Sequence, residues 1–295
     1  MPSAISLVRD QGVRHLNEAF NYQTIDDPQD PTTEVLGINN LGKIIGYYGD
    51  GPTDGFYALA PYGPNNFKKV DYPGAVSTVA TAVNNSRAIA GWYQNNKGWI
   101  FGFILWEGIW TTYKDSHLRG SPTQNTQIWG LSDDGLAVGF YQDSSGTDHA
   151  FEMDETTGKF HGIFPPNAKN SAATGISGKG DVVGWLTLAN GTYEGWLLKG
   201  GHYTVFSEPN GSQTQPYSVN WEDDIVGSYV DGSGNTHGFI LSNPLTSQAW
   251  QQIDEPNAAN YTVVTGVNDH HTMVGYYKDG SGNIDGFLAS LKSGT

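Results

Sequence analysis

The sequence predicts an all-β fold: a six-bladed β-propeller, four antiparallel strands per blade, the last blade closed by the N-terminal strand. Three observations carry this prediction. One motif recurs six times, five copies hold four strand candidates and the last holds three, and one strand candidate at the N-terminus lacks a counterpart at the C-terminus.

The copies read GINNLGKIIGYY (37–48), AVNNSRAIAGWY (82–93), GLSDDGLAVGFY (130–141), GISGKGDVVGWL (175–186), SVNWEDDIVGSY (218–229) and GVNDHHTMVGYY (266–277). Their shared glycines, Gly46, Gly91, Gly139, Gly184, Gly227 and Gly275, stand 45, 48, 45, 43 and 48 residues apart. Such a period marks supersecondary units that stack because none buries its own faces alone.

Within a unit, the first strand ends at an Asn or Ser, and a turn of Asn, Asp and Gly follows, residues that accept the backbone of tight hairpins. The second strand carries the Gly-aromatic-aromatic triplet and the third carries Gly-Phe. Fourth strands begin at Phe67, Trp110, Phe160, Tyr203 and Trp250, and a sixth, Tyr22 to Asp26, precedes the first unit. It is expected to complete the last blade, so that the ring closes and an exposed sheet edge is removed.

Residues 20–295 read as one domain, because continuous repeats leave no linker, and residues 1–19 read as an N-terminal extension. In that extension Ile5, Val8, Val13 and Leu16 suggest a short amphipathic segment that packs on the propeller or frays from it. The net charge of −15 argues against a nucleic-acid partner, which needs clustered Lys and Arg. No apolar run is long enough to span a membrane as a helix. Without cysteine there is no disulfide frame, thiolate nucleophile or Cys-ligated zinc. Residues 1–19 lack the apolar core of a signal peptide. Sequons at Asn84, Asn190, Asn210 and Asn260 would permit glycosylation but discriminate little in so Asn-rich a chain, and the expectation is secretion, directed by a signal outside this chain.

Asp148-His149-Ala150-Phe151 and Thr236-His237-Gly238-Phe239 each follow a Gly-aromatic-aromatic strand and a Gly-containing loop. In this the chain resembles the HAF-repeat family over about residues 22 to 288, and the resemblance implies a propeller. Other blades put Asp54, Phe101, Glu194 and Asp285 where the His stands, so the His column is not a ring of ligands.

Comparing blades separates scaffold from site, since a residue demanded by the architecture recurs in every blade. Most aromatics fall into recurring columns, among them Tyr47, Trp92, Phe140, Trp185 and Tyr276, and are assigned to packing between blades. A hydroxyl column, Thr33, Thr78, Thr126, Ser171, Thr214 and Thr262, is assigned to satisfying backbone groups. The departures are the candidates. Just after the hydroxyl column stand Glu34, Val79, Gln127, Ala172, Gln215 and Val263, and two residues further on Leu36, Thr81, Trp129, Thr174, Tyr217 and Thr265. Glu34, Gln127 and Gln215, with Trp129 and Tyr217, are therefore expected to line an apolar funnel with a few convergent polar groups, the composition of a small-molecule site.

The loop that enters the third unit is four residues longer than most, and it brings His117 and Arg119 towards the expected mouth of the channel. No metal or other cofactor is required by the sequence. The Asp231 to Asn235 and Asp279 to Asn283 segments resemble fragments of calcium loops but lack the later Glu, and they stand where a hairpin needs a turn. His270-His271 also lies in a turn. No nucleophile elbow occurs. A pair of carboxylates for glycoside hydrolysis would need Asp30, Asp254 or Glu255 beside Glu34.

Two function classes follow. One is a cofactor-independent enzyme that holds an apolar or aromatic small molecule in the channel, with Glu34, Gln127, Gln215 and His117 as catalytic candidates and Trp129, Tyr217, Tyr261, Arg119 and Trp99 as binding candidates. The repeat architecture resembles that of fungal cyclases that join quinone methides to terpenes by hetero-Diels–Alder addition, which implies cyclisation, although no catalytic motif carries over. The other class is a carbohydrate-binding or glycan-cleaving propeller, with Trp99, Tyr193 and Tyr261 stacking on sugar rings. The enzyme predicts one deep asymmetric site, and the sugar binder predicts shallow repeated ones.

Overall fold

A computed structural model describes residues 6–7, 19–26, 30, 32–118 and 124–292, and it forms six four-stranded antiparallel sheets arranged as a β-propeller. Blade 1 consists of Thr33–Ile38, Ile44–Tyr48, Asp54–Ala58 and Phe67–Val70. Blade 6 takes three strands from the C-terminal end of the chain and its outer strand, Phe20–Ile25, from the N-terminal end, paired from Phe20↔Leu291 to Ile25↔Gly286. The ring is closed as the sequence predicts.

Ile5, Val8, Val13 and Leu16 lie outside the described residues. Ser6–Leu7 add a short fifth strand to blade 4, parallel to Thr204 and Val205.

Two glycine columns, the second occupied by Ala150 in blade 3, explain the spacing of the strands. A Cβ on Gly46 would lie 1.9 Å from the Glu34 carbonyl oxygen, and the same contact recurs at the other motif glycines. A Cβ on Gly286 would lie 2.5 Å from Val35 of the next blade, so the Gly-Phe glycine admits the neighbouring first strand. The Phe or Trp that follows, from Phe56 to Phe287, is almost wholly buried in its blade core.

The hydroxyl column does what the sequence suggests. The Oγ1 atoms of Thr78, Thr126, Thr214 and Thr262 accept the backbone N–H groups of Tyr72, Asp115, Glu208 and Glu255, where each fourth strand leaves its blade.

At the other end, the Asn that closes each first strand has two tasks. Asn39 Oδ1 accepts N–H groups from Leu41 and Lys43 of its own turn, and Asn39 Nδ2 donates to the Asn84 carbonyl of the next blade. Asn84, Asn220 and Asn268 likewise reach across to Ser132, Asn268 and Asn39. Ser132 and Ser177 cap their own turns, but among the described residues they make no crossing bond. The amide belt is therefore interrupted from blade 3 to blade 5. Since the Asn84 amide is buried in this belt, that sequon is not an accessible acceptor, whereas Asn190, Asn210 and Asn260 are exposed.

Candidate functional site

All six first strands carry a β-bulge at one level, between Val35/Gly37, Ala80/Ala82, Ile128/Gly130, Ala173/Gly175, Pro216/Ser218 and Val264/Gly266. A bulge re-aims the extra side chain. The extra residues are Leu36, Thr81, Trp129, Thr174, Tyr217 and Thr265, which alternate bulky and small around the ring. Thr81, Thr174 and Thr265 each donate to a first-strand carbonyl of the next blade, those of Ile128, Pro216 and Val35, at 2.7, 2.8 and 2.7 Å. Leu36, Trp129 and Tyr217 project into the channel instead. Six bulky groups would not fit at one level of so narrow an axis, so alternation follows from packing.

The channel encloses a cavity of about 680 Å³, the size of a small-molecule site. Its wall runs from Glu34, Tyr47, Trp92 and Tyr276 past Trp129 and Tyr217 to the first-to-second-strand turns, where Asp133, Asp269 and the exposed Trp221 stand on the rim.

Burial raises the Glu34 pKa above the usual carboxylate value, and a hydrogen bond from Tyr47 offsets part of that rise. Tyr217, Tyr261 and Tyr276 lie within the electrostatic reach of Glu34. Burial, with a smaller contribution from the neighbouring phenols and Glu34, pushes Tyr217 up to about 12. Tyr47 and Tyr276 are likewise raised, chiefly by burial. The buried Trp92 Nε1 has no hydrogen-bond partner among the described residues. The Glu34 carboxyl group, which burial biases towards its neutral form, thus faces the cavity and in that form can donate to a ligand oxygen, whereas the Trp92 indole N–H is sealed within the wall.

The other candidates fall in different places. Gln127 and Gln215 are not on the cavity wall: Gln127 accepts from Trp129 Nε1 at 3.0 Å and donates to Asn125, and Gln215 accepts from the Tyr217 hydroxyl at 3.2 Å. They hold the two bulky side chains in place. Tyr261 sits behind Tyr276, with ring centroids 6.3 Å apart. His117 is also off the wall, because Asp115 accepts its Nδ1–H at 2.6 Å and its ring stacks on Tyr141. Trp99 is half-buried outside the cavity beneath Lys97, and Tyr193 packs on Trp185. Arg119 lies outside the described residues. Asp30 accepts the Thr32 N–H, and Asp254 binds His237. The remaining wall carboxylates belong to the turns, roughly 20 Å along the strand from Glu34.

Sequence comparison missed Tyr47, Trp92 and Tyr276 as wall residues, because side chains that pack two blades together near the axis also face the channel. The bulge that aims Trp129 and Tyr217 has no signature beyond the alternation itself.

These features define a six-bladed β-propeller with an unevenly lined central channel. No family model and no curated protein sequence matches the chain. Among solved structures it is similar to a triple arginine-to-alanine mutant of AofleA from Arthrobotrys oligospora, at 9% identity over 95% of this chain and 92% of that one, with a TM-score of 0.54. It is also similar to the fungal lectin from Aleuria aurantia, described as a six-bladed propeller with a fucose recognition mode, at 12% identity over 89% and 95% with a TM-score of 0.51. A gluconolactonase from Xanthomonas campestris matches at 9% identity over 99% of both chains with a TM-score of 0.54. At these identities the likeness concerns the fold.

Proposed function

We propose that the protein is a cofactor-independent enzyme whose partner is an apolar or aromatic small molecule bound in the central channel, and that the reaction is a cyclisation of the hetero-Diels–Alder kind. The observation that carries this reading is Glu34, a carboxyl group that burial biases towards its neutral form on a cavity wall shared with Tyr47, Trp129, Tyr217 and Tyr276. A neutral carboxyl donates a hydrogen bond to a ligand carbonyl. Withdrawing electron density through that oxygen makes the conjugated carbons more electrophilic. A cycloaddition then forms two σ bonds at the expense of two π bonds, so Glu34 keeps its proton throughout. Trp129 and Tyr217, fixed by Gln127 and Gln215, hold the flexible partner folded against the reacting face. We read the repeat itself as the HAF type, in which His237 pins its hairpin by bonding Asp231 and Asp254.

Tryptophan fluorescence titration with carbonyl-bearing polyketides and terpenoids, run beside a glycan array, tests this. Trp129→Ala should remove binding while thermal unfolding stays nearly unchanged, and Glu34→Gln should keep binding but slow product formation by about 100-fold. Tight glycan binding that survives both substitutions overturns the proposal in favour of a carbohydrate-binding propeller.

A further inference from the structure

The space between the second and fourth strands at the loop end of each blade is filled differently around the ring. In blade 2 the chain fills it with its own Tyr72. That ring stacks on Tyr93 at 3.6 Å with an interplanar angle of 6°, meets Trp110 edge-on at 5.2 Å, and its hydroxyl bonds Thr112 at 2.7 Å. In blade 3 His117 stacks on Tyr141, the counterpart of Tyr93, at 5.3 Å and 5°.

Blade 5 has the same frame: Tyr229 for Tyr93, Phe239 for Phe103, Trp250 for Trp110 and Gln252 for Thr112. Phe239 and Trp250 are 5.0 Å apart, as against 4.9 Å for Phe103 and Trp110. What changes is the filling residue. Glu208 occupies the Tyr72 position, as its N–H bond to the hydroxyl column shows, and its carboxylate turns back to accept the Asn210 N–H at 2.7 Å. A cavity of about 250 Å³ remains, lined by Glu208, Tyr229, Asp231, His237, Trp250 and Gln252. It is electronegative on balance: Glu208 and Asp231 face it, and His237, the basic group on its wall, is shared between Asp231 and Asp254, while neither lysine nor arginine lines it.

We infer that this blade-5 cavity is a second ligand site, separate from the channel, for a small flat organic cation such as an aromatic amidinium or ammonium, held against the aromatic frame by Glu208 and Asp231. The aromatic walls supply the ring contact that Tyr72 supplies to blade 2, and the carboxylates select positive charge over a neutral ring.

Calorimetric titration of the whole protein with benzamidine, its neutral counterpart benzamide, and fucose tests this. Benzamidine should bind at least about tenfold more tightly than benzamide or fucose. Glu208→Gln should weaken benzamidine about tenfold. Glu208→Tyr, which copies blade 2, should abolish binding, and if that variant fails to fold, Glu208→Gln decides. Benzamidine binding that is unchanged by these substitutions, benzamide or fucose binding of equal strength, or no benzamidine binding at about 10 mM overturns the inference.

Discussion

Glu34 couples the stability of the protein to its candidate chemistry. Its pKa in the folded state is raised above the ordinary 4.5, first by burial. A raised pKa contributes stability that is fully present below the unfolded value and is lost as pH rises through the folded value. Glu34→Gln should therefore be more stable than the parent at pH about 8, and the difference should shrink to nothing near pH about 4. Urea unfolding at the two pH values checks this. A parent as stable as the variant at the higher pH would mean that water reaches the carboxylate freely, and the neutral-donor role would go with it.

At the scale of the element, the turn that closes each first strand does more than reverse the chain. Asn84 Oδ1 accepts the Ala88 N–H at 2.9 Å while Asn84 Nδ2 reaches the Ser132 carbonyl at 3.1 Å. Asn84→Ser should keep the cap, as Ser132 and Ser177 do, and lose the crossing bond, at a cost of about 1–2 kcal/mol measured by chemical unfolding. Ser132→Ala should lose only its cap, at about 1 kcal/mol. The exchange of Asn for Ser at this position in blades 3 and 4 is visible in the sequence, but its meaning is not, because an amide that reaches another blade is indistinguishable in one dimension from one that caps its own turn. The same applies to Gln127 and Gln215. The sequence marked them as departures from the blade pattern, and their partners turned out to be neighbours on the same strand. Glu34, Trp129 and Tyr217 were legible as wall residues because they break a repeat on the strand nearest the axis.

For the whole molecule, the period of the glycines gives the blade number, the strand candidates within each unit give the strand count, and the unmatched candidate at Tyr22 to Asp26 gives the closing strand. The cavity depends on what the units do not share, and periodicity says nothing about that. Closure also makes a prediction. Removing residues 1–26 takes away the strand that pairs with Ile284–Leu291 and leaves blade 6 with an open edge. The truncated protein should aggregate or associate through that edge, seen as loss of the monomer peak in size-exclusion chromatography, whereas a compact monomer of unchanged melting temperature would show the strand to be dispensable. The same seam sets Ala19 beside Lys292, whose N–H donates to the Ala19 carbonyl at 2.9 Å. A toroid that is continuous across the contact of residues 19 and 292 has no privileged starting point. A circular permutant with residues 19 and 292 joined by a short linker and new termini in the loop at 207–211 should regenerate the same body, so blade numbering records the order of synthesis rather than any rank among the blades.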